Sequence, residues 1–155
     1  MFAAAGFNLL CSGVRTKNDG AVFFGDYEGN FLVPDWPETV CVVDDDTSVL
    51  KALGRLLSSA GLHAMGFKDP RVFLEHAKDH EVALAVIDVW MPELSGLEVQ
   101  RLLQTIAPAT PVIIMTARDD PGMDRIALAG GAVAFFAKPF SDSVFLDAVL
   151  RALRA

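Results

Sequence analysis

Asp44, Asp45 and Asp46 stand side by side in the stretch CVVDDDTSVL, at the end of an apolar run and directly before a helix-like segment. Asp88 ends a second apolar run, Thr116 a third, and Lys138 a fourth. Two carboxylates held about 4 Å apart at a partly shielded surface repel by roughly 4 kcal/mol at an effective dielectric of about 20, so such a cluster needs a counter-charge. A hard divalent cation supplies one: Mg²⁺ takes one or two carboxylates together with waters and phosphate oxygens. Asp45 and Asp88 can share such an ion, and a carboxylate whose charge is reduced in this way can attack phosphorus to form an aspartyl phosphate. Lys138 can neutralise a phosphoryl oxygen, and the Thr116 hydroxyl can donate to another.

That chemistry requires elements that bring distant residues to one rim. From about residue 39 onward, short apolar runs at 40–43, 83–89, 111–115 and 132–137 read as strands buried on both faces. Helix-like stretches alternate with them. Val49, Leu50, Leu53, Leu56, Leu57 and Ala60 recur at spacings of three and four, with Gly61 as a C-cap. A last helix begins at Ser141, its candidate N-cap, and places Val144, Phe145, Ala148, Val149 and Leu153 on one face. A weaker strand at 63–67 and a helix at 69–78 complete five β/α units. Alternating units of this kind imply an α/β fold with a parallel sheet, right-handed crossovers and helices on both faces. Ligands of such sheets bind outside the carboxyl ends of the strands, where the four polar sites fall.

With 155 residues, 52% of them apolar, the chain suits one domain with a modest extension. A net charge of −7 argues against a nucleic-acid surface. Cys11 and Cys41 form neither a disulfide framework nor a metal site. The start MFAAAGFNLLC lacks the basic residue and unbroken apolar core of a signal peptide, and no run of 18 apolar residues occurs, so a cytoplasmic protein without a membrane span is expected. Residues 1–38 lack sustained periodicity, and VPDWPET reads as a linker because Pro34 and Pro37 discourage regular structure. The organisation expected is an irregular N-terminal extension over 1–38 and a folded domain over 39–155.

The motifs VVDDD, VIDVWMPELSG, IIMTA and AVAFFAKPF, in that order, resemble those of the response regulator receiver family of two-component signalling, the CheY-like domains, and most closely its FixJ-type branch. The resemblance covers roughly residues 39–155 and implies a five-stranded, doubly wound parallel sheet in the order 2-1-3-4-5, an order for which CheY is a standing example. It implies Asp88 as phosphoryl acceptor, Asp44 and Asp45 as the acidic pair, and Thr116 and Lys138 as the other site residues. Phe135 would be the aromatic switch partner of Thr116, and Trp90 and Arg118 would flank the phosphoryl group. For Mg²⁺ the implied ligands are Asp45, Asp88 and the backbone carbonyl of Trp90, with Asp44 bound through water. A cis Lys138-Pro139 bond is expected as well. The implied partners are a sensor histidine kinase or phosphotransfer protein, a downstream protein target and a second copy in a homodimer, with no nucleic acid and no membrane. The domain would catalyse only its own phosphorylation and dephosphorylation.

Taken singly, each residue has a plainer reading. Asp46 reads as the N-cap of the following helix rather than a ligand. Met91-Pro92 marks a turn, with Gly96 giving conformational freedom before the third helix. His63, His76 and His80 share no metal-like spacing. DDDTS also fits the opening of a haloacid-dehalogenase-type phosphatase, with Asp44 as nucleophile and Asp46 as acid/base. After Lys138, however, only Asp142 and Asp147 are acidic, both at helix positions, and there is no room for a cap domain. A degenerate receiver serving only as a binding module is disfavoured because the acceptor, acidic pair, hydroxyl and lysine are all present. Since the sequence ends at Ala155, the expectation is a single-domain response regulator acting through protein contact. A phosphate sink, or the truncated receiver of a DNA-binding regulator, is the alternative.

Overall fold

The structure is a computed structural model that describes residues 8–10, 14–16, 21–24, 39–118 and 120–155. Strands β4 (Thr39–Val43), β5 (His63–Phe67), β6 (Leu84–Asp88), β7 (Val112–Thr116) and β8 (Ala134–Ala137) alternate with helices α1 (Thr47–Ser59), α2 (Pro70–Asp79), α3 (Gly96–Ile106), α4 (Met123–Ala129) and α5 (Asp142–Arg154). The five strands run parallel in the order β5-β4-β6-β7-β8, the 2-1-3-4-5 arrangement expected.

Successive side chains of a strand point to opposite faces, so each apolar run supplies two cores. Val40 and Val42 join Leu50, Leu53 and Leu57 of α1 and Phe145, Val149 and Ala152 of α5 on one face. Cys41 and Val43 join Phe73 and Leu74 of α2, Val99 and Leu103 of α3, and Ala127 of α4 on the other. All of β4 after Thr39, and all of β6 and β7, are buried, which is why these runs carry no polar alternation.

Helix ends follow local chemistry. The Asp46 carboxylate accepts the Ser48 N–H at 2.8 Å, so Asp46 caps α1 as expected. Gly61, with φ +76°, sits in the left-handed region that closes the helix, and the Leu62 N–H returns to the Leu57 carbonyl at 3.0 Å. Ser141 is the N-cap residue of α5 as expected, but its hydroxyl makes no capping bond and lies 3.0 Å from the Ser143 hydroxyl instead. One expectation for α5 needs correction. Val144 is 57% exposed while Ala152 is buried, so the apolar stripe is rotated from the expected face.

Within residues 1–38, where an irregular extension was expected, three short stretches are strands: β1 (Asn8–Leu10), β2 (Val14–Thr16) and β3 (Ala21–Phe24). They form an antiparallel meander whose β3 pairs antiparallel with β5, from Ala21 opposite Phe67 to Phe24 opposite Ala64. Strands of three or four residues are too short to reveal a period of two. Cys11 and the linker residues 34–37 lie outside the described residues. Among the described residues, no helix is long and apolar enough to cross a membrane.

Candidate functional site

Three adjacent carboxylates end up in three environments. The Asp44 N–H donates to the Phe67 carbonyl at 3.0 Å, carrying the sheet ladder one residue past β4, and the Asp44 side chain is 1% exposed. Its Oδ1 accepts the Asp46 N–H at 2.9 Å and its Oδ2 accepts from Lys138 Nζ at 2.8 Å. Asp45 is exposed at the rim, and Asp46 turns away to cap α1.

Asp88 closes β6 and is 4% exposed. Lys138 follows β8, where its N–H donates to the Thr116 carbonyl at 2.7 Å and so continues the pairing with β7. From there its ammonium reaches across the strand ends to Asp88 Oδ1 at 3.0 Å as well as to Asp44. Carboxylate oxygens of Asp44, Asp45 and Asp88 lie within 4.8 Å of one another. The expected rim is therefore assembled from β4, β6, β7 and β8.

The electrostatics are strained. Burial, reinforced by the negative charge of Asp44, pushes the Asp88 carboxyl up to about 6 despite the Lys138 hydrogen bond. Burial also raises Asp44, against the opposing pull of Lys138 and the Asp46 N–H. Burial works against the Lys138 ammonium, but its hydrogen bonds and charge contacts with Asp44 and Asp88 outweigh it, and its pKa rises. One lysine does not balance three carboxylates. The donor set is all oxygen and fits a hard cation such as Mg²⁺ better than a thiophilic metal.

Thr116 and Phe135 lie on the neighbouring strands β7 and β8, and Trp90 and Arg118 follow the ends of β6 and β7. Thr116, 1% exposed, uses its hydroxyl locally: Oγ1 donates to the Arg118 carbonyl and accepts the Arg118 N–H, each at 3.1 Å. Phe135 is half-buried on β8, opposite Ile114 in register, and packs against the core beneath α3 and α4. The Arg118 guanidinium lies 4.5 Å from the centroid of the Trp90 ring, so the two residues expected to flank the phosphoryl group touch each other. The Lys138-Pro139 bond is cis.

Gly96 has a different role from the turn flexibility expected of it. A Cβ there would overlap the Asp88 carbonyl oxygen and stand 2.8 Å from the Asp88 carbonyl carbon and 2.9 Å from Val89 Cα. Its N–H donates to the Val89 carbonyl at 2.9 Å. Gly96 thus lets α3 begin directly against the strand end that carries Asp88, a close approach that spacing alone does not reveal.

Comparison with known proteins bears on the family and the fold. The family model described as "Response regulator receiver domain" matches residues 40–150. The chain is 36% identical over 138 residues to the response regulator protein TodT of Pseudomonas putida, covering 87% of this chain and 61% of TodT. It is 36% identical over 114 residues to the transcriptional regulatory protein FixJ of Rhizobium meliloti, covering 74% of this chain and 56% of FixJ. The chain thus spans about three fifths of the length of these curated relatives. Among solved structures, FixJ-N superposes with a TM-score of 0.70 at 35% identity, covering 76% of this chain and 94% of that one. The beryllofluoride-activated NtrC4 receiver domain dimer superposes with a TM-score of 0.72 at 30% identity, covering 75% and 96%.

Proposed function

The chain belongs to the response regulator receiver family of two-component signalling, and from that premise we propose that Asp88 takes a phosphoryl group from the phosphohistidine of a sensor kinase or phosphotransfer protein. An Asp88 carboxylate oxygen forms the new O–P bond as the N–P bond breaks and its electron pair returns to the donor imidazole. Dephosphorylation reverses the charge: water adds to phosphorus, the O–P bond breaks, and Asp88 is regenerated as a carboxylate with release of inorganic phosphate.

The observation that carries this reading is the cluster of Asp44, Asp45 and Asp88, two of whose carboxylates, Asp44 and Asp88, share Lys138. Asp45, Asp88 and the Trp90 carbonyl would hold Mg²⁺ directly, with Asp44 acting through water, and the ion would offset charge that builds on the phosphoryl oxygens. Lys138 already spans Asp44 and Asp88, so it needs only a short movement to pair with a phosphoryl oxygen on Asp88. Thr116 would give up its bond to the Arg118 carbonyl and turn its hydroxyl to the phosphoryl group. The space it leaves would be taken by Phe135, linking the site to the face of α4, β8 and α5.

Val133 and Val144 are exposed large apolar side chains that line one shallow hollow with Ala134 and Phe136 of β8 and Ala148 of α5. They favour an output through contact with a downstream protein over a pure phosphate sink. We place the protein in the cytoplasm, where a kinase would meet it, and treat residues 39–155 as the receiver and 1–38 as an accessory extension. The test is uptake from acetyl phosphate with Mg²⁺, followed by intact mass. One labile phosphoryl group is expected on the wild type and none on Asp88→Asn, whereas equal labelling of both would overturn the assignment. Sustained turnover of a small phosphomonoester would point to a phosphatase instead.

A further inference from the structure

Helix α4 has only seven residues and a single fully buried side chain, Ala127. Isolated helices of this length are unstable in water, so something outside the helix must hold it. Its N-terminus contributes little, since Gly122 makes no side-chain capping bond. Its C-terminus is held firmly. The Gly131 N–H donates to the Leu128 carbonyl and the Ala132 N–H to the Ala127 carbonyl, each at 3.0 Å, with Gly131 in the left-handed region at φ +98°.

Two amides from α3 add to this. Gln100, 3% exposed, donates its Nε2 to the Ala127 carbonyl at 3.0 Å. Gln104, one turn later on the same side of α3, donates its Nε2 to the Gly130 carbonyl. The glycine pair leaves room for them. A Cβ on Gly130 would lie 3.2 Å from the Gln100 amide nitrogen and oxygen, and a Cβ on Gly131 would lie 2.6 Å from Gln104 Nε2. At this helix C-terminus α3 adds a second donor to the Ala127 carbonyl, which already accepts the Ala132 N–H, and a donor to the Gly130 carbonyl. At its other end α3 is seated through Gly96 on the backbone of Asp88. One rigid helix therefore connects the phosphoacceptor strand to the end of α4.

We propose that Gln100 and Gln104 form a latch that holds α4 in its resting position and so sets how readily the receiver switches. This rests on the reading of Asp88 as phosphoacceptor. The latch bonds belong to the resting arrangement, and displacement of α4 breaks them. Weakening the latch raises the fraction of molecules in the switched state before any ligand binds, and apparent affinity for a phosphoryl mimic rises in proportion. Gln100 and Gln104 are regulatory positioning residues that never touch the phosphoryl group.

The experiment uses the full chain and two probes. Beryllofluoride with Mg²⁺ is titrated against Trp90 fluorescence in the wild type, Gln104→Ala, Gln104→Glu and Gln100→Leu. Hydrogen exchange of the α4 amides is measured in the unliganded proteins. Gln104→Glu keeps the shape but removes the donor, so a donor-dependent latch makes it behave like Gln104→Ala. The latch predicts roughly five- to tenfold tighter mimic binding in the variants, with Mg²⁺ affinity alone unchanged and faster exchange confined to Met123–Ala129. A merely structural role would weaken mimic binding in step with thermal stability, and that result would overturn the latch, as would unchanged affinity and exchange in both Gln104 variants. If the wild type fails to bind beryllofluoride, the reading of Asp88 fails. The latch is then judged by exchange alone, where unaltered protection of α4 in the variants refutes it.

Discussion

Gly96→Ala tests whether the contact between α3 and the Asp88 strand end positions the site. The new methyl would meet backbone, not a flexible side chain: it overlaps the Asp88 carbonyl oxygen and falls 2.8 and 2.9 Å from Asp88 C and Val89 Cα. Neither side can yield without moving a helix or a central strand. Forcing a methyl into a packed region typically costs 1–3 kcal/mol, and backbone on both sides puts this case near about 3. Replacing glycine by alanine in a helix returns up to about 1 kcal/mol, so the net loss is about 2 kcal/mol. For a chain of this size that lowers Tm by roughly 4–8 °C. Because the strain acts on the residue that carries the acceptor, phosphoryl uptake should slow as well. Gly61→Ala is the control. Its Cβ meets nothing within 4 Å, but its φ of +76° imposes backbone strain of about 1–2 kcal/mol far from the chemistry. Thermal melts and acetyl phosphate labelling of the two variants decide the matter. Gly96→Ala should lose stability and labelling rate, and Gly61→Ala stability alone. Wild-type melting and labelling in Gly96→Ala would refute the argument.

Three other expectations follow from the same geometry. Asp88 binds its proton more tightly in the folded chain than its ordinary pKa of 3.8, up to about 6. With a chelator present, this group's contribution is therefore most favourable below about pH 4 and is lost as pH rises through about 6. The loss is up to about 3 kcal/mol, so Asp88→Asn should melt above the wild type near neutral pH, with the gap closing in acid. A gap independent of pH would contradict this. Thr116→Ala should accept phosphate but lose the shift at Phe135, which NMR spectra with and without phosphoryl group would reveal, and a full wild-type response would break the coupling. The Arg118–Trp90 pair, whose members follow Thr116 and Asp88 by two residues each, is expected to shield the phosphorus from water, so Trp90→Ala and Arg118→Ala should shorten the lifetime of the aspartyl phosphate. Equal dephosphorylation rates in wild type and both variants would remove the shielding idea and leave the acceptor untouched.

The parts of this protein that were readable from its sequence are those governed by short-range pattern. The buried strands β4, β6 and β7 appear as unbroken apolar runs because both of their faces are covered, and Asp46 announces itself as a cap by its place before α1. Polar residues at strand ends indicated the rim, since parallel topology brings those ends together. What stayed hidden depends on contacts between distant segments. Lys138 reaches Asp44 across 94 positions of chain, and Gln100 meets the Ala127 carbonyl across 27. No periodicity reports either. The reason for glycine at 96 and at 130–131 is the neighbour each accommodates, and that neighbour is invisible until the helices are placed. The exposure of Val144 reflects a small rotation of α5, below what a helical pattern of thirteen residues can resolve.

The central claim is that one carboxylate, Asp88, accepts the phosphoryl group. It is tested most directly by treating the phosphorylated wild type with borohydride, which reduces an acyl phosphate to the alcohol, and mapping the reduced residue by peptide mass spectrometry. The account predicts conversion at Asp88 alone, dependent on Mg²⁺ and abolished in Asp45→Ala when Mg²⁺ is limiting. Conversion at Asp44 or Asp45 with Asp88 intact would contradict it.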